Sequence, residues 1–263
     1  MKIQLSDHFT YKKLLRFTFP AIIMLVFTSI YGVVDGFFVS NFVGKTHFDK
    51  GSLIKTCVNG SSELTSNISM SVVNMLYNGQ LLNYAGEDGI AAYGVLMYVS
   101  LIFQAVFLGY SVGTAPIVGY HYGAQNKSEL KGLLQKSLLL ITIFAVFMLT
   151  SSLTLAKPLS YLFTGYDRAL LLLTLRAFSI FSFSFLFSGF GILGSSFFTA
   201  LNNGLVSAAI SFLRTFVFQI AAVLTFPLIW KVDGIWGSVV AAELLAAGVT
   251  AFFLKSQQKN YGY

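Results

Sequence analysis

Charge is scarce in this sequence: only 10% of its 263 residues are Asp, Glu, Lys or Arg, against about 25% in an ordinary soluble domain. So few ionic groups cannot cover a water-facing surface, which sets a soluble enzyme aside. Proline is scarce as well, at 4 residues, beside 27 Phe and 13 Tyr. That composition excludes collagen-like and disordered chains. The single cysteine, Cys57, leaves no internal disulfide and no thiolate metal cluster. Alone near a helix start, it reads as a small packing residue. The sequence has no Gly-x-x-x-x-Gly-Lys-Ser/Thr loop, no His-Glu-x-x-His and no Gly-x-Ser-x-Gly. ATP hydrolysis and the common hydrolase chemistries go with them, and nothing points to an enzyme or to a cofactor.

What the sequence does have is apolar length: 56% hydrophobic residues and a mean hydropathy of +0.74. A helix needs about 20 mainly apolar residues to cross a bilayer. Seven stretches qualify, roughly 17–43, 56–83, 90–121, 133–156, 170–200, 204–230 and 234–254. Residues 137–156 and 177–201 carry no charge at all. The expected class is therefore all-α, a polytopic membrane helix bundle of seven transmembrane helices. Barrel strands would be shorter and alternating. The first stretch is too long for a signal peptide and no small-x-small cleavage site follows it. Breakers fall between the stretches: Gly86-Glu87-Asp88-Gly89, Gly123 to Lys127, Lys157-Pro158, Asn202-Asn203-Gly204 and Lys231 to Gly234. Loops this short make consecutive helices antiparallel neighbours.

The net charge of +7 is spread between the apolar runs, so it reads as bilayer orientation by the positive-inside rule rather than as a nucleic-acid surface. Segments 45–55, 122–136 and the tail each sum to +2, whereas 84–89 sums to −2. The first three belong inside and the last outside, with the +1 loop at 157–168 as a mild exception. The first helix does not fit, because residues 1–16, at +3, also ask to be inside. An odd number of helices missing between the first and second stretches would remove the conflict. So would a re-entrant first helix.

Ionisable groups inside a span cost several kcal/mol unless paired or hydrated, which makes each a functional candidate. Asp35 lies in the first stretch and Glu63 in the second. Glu63, Asn67, Ser71, Asn74 and Asn78 follow at steps of 4, 4, 3 and 4, which puts them on one helical face. A polar stripe on a membrane helix should face water, and Glu63 is then a proton or cation site. The plainer reading is a structural carboxyl held between helices. Arg176 and Arg214 should snorkel or pair, with Glu243 as a partner for one of them, and His121 reads as an interface residue. Gly109, Gly113, Gly119 and Gly123 bracket Pro116 at spacings that permit close helix packing and a kink.

At these residues the chain resembles the multidrug and toxic compound extrusion (MATE) family of secondary transporters. Phe19-Pro20 and Ser29 to Gly44, with Asp35 inside, look like that family's first helix. From about Ser52 the chain looks like helices seven to twelve, on Glu63 to Asn78, Ala91 to Gly94, Pro116 to Asn126, Phe197 to Gly204, and Ser207 to Arg214 with Phe218-Gln219. A weak internal echo, Phe19-Pro20, Asp35-Gly36 and Val43-Gly44 against Gly60-Ser61, Asn78-Gly79 and Ala85-Gly86, runs at offsets of 41 to 43. The resemblance implies two six-helix lobes around a drug cavity in the cell membrane, exporting small cationic or amphipathic drugs in exchange for H⁺ or Na⁺. Asp35 and Glu63 would take the places of the coupling carboxylates of the two lobes, and Asn67, Ser71, Asn74 and Asn78 would line the cavity. Helices two to six have no counterpart, so 1–50 reads as a remnant of the N-terminal lobe and 51–263 as a six-helix C-terminal lobe. Two alternatives stand beside an active antiporter. One is an inactive remnant or half-transporter that needs a second chain. The other is a lipid-linked sugar flippase of the same superfamily, which would want a basic cavity that the stripe does not supply.

Overall fold

A computed structural model describes residues 61–263, apart from the side chains of 61–68 and Lys259, and before them only Thr10, Lys12, Phe19 and Ile23. Apart from Phe19 and Ile23, the first expected span, with Asp35, lies outside the described residues, as do the join near 44–52 and Cys57. So do the side chains of Glu63 and Asn67.

The described chain is helical from end to end: α1 (Ser61–Gly123), α2 (Lys127–Thr164), α3 (Arg168–Phe181), α4 (Phe185–Ala200), α5 (Gly204–Phe212) and α6 (Phe218–Tyr261). A 3₁₀ turn, Ser182–Ser184, joins α3 to α4, and a π-helical turn, Leu213–Val217, joins α5 to α6. No strand occurs among the described residues. Four continuous stretches, Ser69–Gly123, Lys127–Thr164, Arg168–Ala200 and Gly204–Gln258, are long and apolar enough to cross a membrane. Two of them contain one residue outside helical geometry: Gly86 (φ 65°, ψ −156°) in α1 and Lys231 (φ 50°, ψ −127°) in α6. Both sit where the sequence placed a turn. A positive φ costs a glycine little, whereas Lys231 holds it with a side chain. Close to the second break, Gly234 lies so near the backbone carbonyl of Phe226 that a methyl group there would collide with it.

The caps follow the sequence signals. Asn126, Asp167 and Asn203 each accept a hydrogen bond from the first turn of the helix they open, supplying the free N–H groups of that turn with an acceptor. One expected stop is wrong. The Lys157-Pro158 pair does not close α2, which runs on to Thr164 and stops at Gly165. Proline removes one backbone donor, and in an apolar medium the helix is still the conformation that leaves fewest groups unpaired.

The central element is α4, which packs on α1, α2, α5 and α6. It can do so because it presents bare backbone. A methyl group at Gly189 would come within 2.7 Å of Phe107 and 2.8 Å of Ile141, and one at Gly191 within 2.8 Å of Arg214 Cδ. Gly119 and Gly123, expected to mediate close packing, leave room for a side chain. The glycines of α4 thus make close helix crossings in the bundle. Overpacking a filled core costs about 1–3 kcal/mol. Gly189→Val is thus expected to lower the melting temperature in detergent by several degrees, while Gly123→Ala leaves it unchanged; equal effects would contradict this packing.

The main core gathers Tyr77, Leu81, Phe107, Phe178, Phe185 and Trp236. A second cluster, with Val118, Leu130, Phe197, Phe198 and Tyr263, closes the end of the bundle where α1 passes to α2 and α6 terminates.

Candidate functional site

Along the first limb of α1 the buried line is Ser69, Val73, Tyr77 and Leu81, a run with a period of four. The expected polar stripe occupies a neighbouring face. Ser71 and Asn74 are exposed and Asn78 is half-buried, with Met70 and Met75 exposed beside them. The backbone at Glu63 and Asn67 is helical, so their register positions continue the same face. Ser71 and Asn74 do not point into the bundle; they lie on a face that the described residues leave uncovered.

One member of the stripe is tied to the interior. Tyr93, on the second limb of α1, donates its hydroxyl to Asn74 Oδ1 at 3.1 Å. Its ring stacks on Tyr77 with centroids 5.6 Å apart and planes 8° from parallel, and lies 6.5 Å from Trp236. Tyr77 in turn donates to Gln219 Oε1 at 2.7 Å and sits 2.9 Å from Ser238 Oγ, both on α6. The stripe is thus linked by hydrogen bonds and stacked rings to both limbs of α6. A buried phenol needs a partner for its hydroxyl, so a tyrosine three residues after Asn74 was the available signal. The periodicity argument passed over it because Tyr77 sits on the buried side of the stripe.

The π-helical turn carries the most buried ion pair among the described residues. Arg214 Nε and Nη2 donate to the two carboxylate oxygens of Glu243 at 2.8 and 2.9 Å, with side chains only 13% and 5% exposed. The two-pronged geometry matches the guanidinium fork to the carboxylate. The missing side chain of Gly191 makes room for the arginine stem. The other arginine, Arg176, pairs with Asp233 at 2.9 Å beside the Lys231 break, well exposed. Sequence reasoning named both arginines and Glu243 but not Asp233, which looked like part of a turn. His121, expected at an interface, is 2% exposed.

Lys131, Gln135, Lys255 and Gln258 stand around a separate cleft of about 410 Å³ between α2, α4 and α6, with an apolar body that includes Leu134, Leu138, Phe190 and Leu254. No member of the expected site lines it.

The family model MatE matches residues 64–225, more than half of the chain. No curated protein matches in sequence. Among solved structures, the chain is similar to the outward-facing form of a multidrug resistance MATE family transporter of the MOP superfamily: TM-score 0.71, 19% identity, 84% of this chain and 49% of that one. A MOP superfamily transporter from Pyrococcus furiosus, described as having a binding pocket of reversed polarity, gives TM-score 0.70 and 19% identity over 82% of this chain and 49% of that one. A mutant Vibrio cholerae MATE transporter gives 0.69 and 17% over 76% and 46%. The chain thus spans about half the length of these relatives.

Proposed function

The chain belongs to the MatE family of membrane transporters, and on that premise we propose that it takes part in secondary active efflux of small cationic or amphipathic drugs, driven by exchange for H⁺ or Na⁺. The observation that carries the reading is the Glu63, Asn67, Ser71, Asn74 and Asn78 face of α1: polar, uncovered where it is described, and linked through Tyr93 and Tyr77 to α6. In this mechanism Glu63 alternates between holding a cation and assisting drug binding. Gaining a proton or a metal cation removes its free negative charge, and the drug's affinity falls with it. Asn67, Ser71, Asn74 and Asn78 line the path, and Asp35 is a second coupling carboxylate.

The breaks at Gly86 and Lys231 support counting six membrane segments after the first, with residues 51–263 as one lobe. On this topology the turn at Glu87–Asp88 faces outward and Lys255 faces the cytoplasm of the cell whose membrane it occupies. The uncovered polar face also admits a second reading, in which the lobe works against a facing lobe supplied by another chain. Alternating access of this kind is the rocking of one repeat against another, and the uncovered polar face is where such a lobe would sit.

Dye efflux from cells that lack their own exporters tests the proposal. Expression of the chain is expected to lower accumulation of a cationic dye, and an ionophore that collapses the proton or the sodium gradient is expected to restore it. Dye accumulation equal to that of cells without the chain would overturn the antiport reading.

A further inference from the structure

The cleft between α2, α4 and α6 takes no part in the proposed transport path, yet it combines two features that belong together at a membrane surface. Its body is apolar, lined by Leu134, Leu138, Phe190, Ala247, Ala251 and Leu254. Two cations, Lys131 and Lys255, line it together with the amides of Gln135 and Gln258. Both lysines are exposed, and neither makes an ion pair among the described residues. The nearby Lys136 is different, since it lies 3.8 Å from Glu129. Among the described residues, no Asp or Glu side chain lines the cleft.

Position strengthens the case. The lysines stand at the end of the bundle where α1 passes to α2 and α6 terminates, which the charge distribution of the sequence assigns to the cytoplasm. That leaflet carries anionic lipid, whose negative surface potential attracts a lysine close to it. Thr250, lining the same cleft, is 1% exposed, and its hydroxyl has no partner among the described residues. The volume of about 410 Å³ suits part of an acyl chain with its glycerol ester, and not a whole lipid.

We propose that this cleft is a binding site for one anionic phospholipid, its phosphate held by Lys131 and Lys255 and one acyl chain lying along the apolar body toward Phe190. Zwitterionic lipid would enter the same groove with less hold, because its headgroup carries no net charge to match the two lysines. The site would fasten α6 to α2 and α4 from the lipid side, and it is independent of whether the chain transports drugs.

Native mass spectrometry of the full chain in detergent, with added phosphatidylglycerol, phosphatidylcholine or inorganic phosphate, tests the proposal. Phosphatidylglycerol is expected to be retained about tenfold more than phosphatidylcholine, and inorganic phosphate not at all. The double variant Lys131→Glu/Lys255→Glu should erase the preference between the two lipids. Ala251→Trp, which fills the apolar body, should reduce retention of both, and circular dichroism should report unchanged helicity for either variant. Lys157→Glu, remote from the cleft, should bind as the parent does. Equal retention of the two lipids, a preference that survives the double charge reversal, or phosphate binding that Ala251→Trp leaves intact would each overturn the assignment.

Discussion

Replacing Glu63 by Gln is expected to bring drug efflux to the background of cells without the chain while leaving expression and folding nearly intact. Glutamine keeps the size and most of the hydrogen bonds of the carboxyl but cannot take up or release a proton. A structural, protonated Glu63 would be imitated well by glutamine and the change would be silent, so this substitution separates the two roles. If the coupling ion is H⁺, parent efflux should strengthen as the external pH falls, since protonation of Glu63 from outside favours release of the drug. The variant should be flat across the same range. Asp35→Asn is expected to have the smaller effect if, as the family resemblance implies, the helices that would complete a cation site around it have no counterpart here. Parent-like efflux from Glu63→Gln across external pH would remove Glu63 from the mechanism.

The largest loss of stability is expected at Glu243. Glu243→Gln leaves the Arg214 guanidinium, 13% exposed, without its carboxylate, and removing one partner of a buried pair costs about 3–5 kcal/mol. A fall of the melting temperature in detergent by ten degrees or more is anticipated. The pair itself contributes much less than that figure, because two desolvated charges roughly offset their attraction. Arg214→Met/Glu243→Leu should therefore recover most of the loss. If the double variant were as unstable as Glu243→Gln, the bidentate contact would be making a net contribution that desolvation does not cancel. The π-helical turn at Leu213–Val217 gives this site added interest, because such turns interrupt the helical ladder and often mark working parts of a helix.

Much of the backbone was readable in advance, for local reasons. Gly86, Asn202 and Lys231 all take positive φ, and each stood in a cluster of turn residues between apolar runs. Asn126, Asp167 and Asn203 are cap residues by chemistry, and they cap. Pro158 misled because its effect depends on the medium: a proline that ends a helix in water is carried through in an apolar one. Tertiary placement was harder. The five-residue stripe follows from periodicity, but periodicity cannot tell the exterior of a lobe from its interior. Only the packing of Val73, Tyr77 and Leu81 against the core decides that Ser71 and Asn74 turn outward. The link from Asn74 through Tyr93 and Tyr77 to Gln219 joins residues 142 positions apart in its longest step, and no local pattern announces such a pairing. The same holds for Arg176 with Asp233, 57 positions apart. The glycines of α4 were passed over because only their neighbours, Phe107, Ile141 and Arg214, reveal which glycines are needed.

The account stands on the α1 stripe facing water rather than lipid, and thiol accessibility measures that directly. With Cys57→Ser as background, Ser71→Cys places a thiol on the stripe. Phe147→Cys places one on an exposed apolar position of α2, where Phe147 is 61% exposed. Both are treated in isolated membranes with a maleimide that cannot enter the bilayer. Rapid labelling at position 71, slowed by a cationic drug, with no labelling at 147, is the predicted result. A thiol at position 71 as unreactive as the one at 147 would place the stripe against lipid and contradict the proposed path.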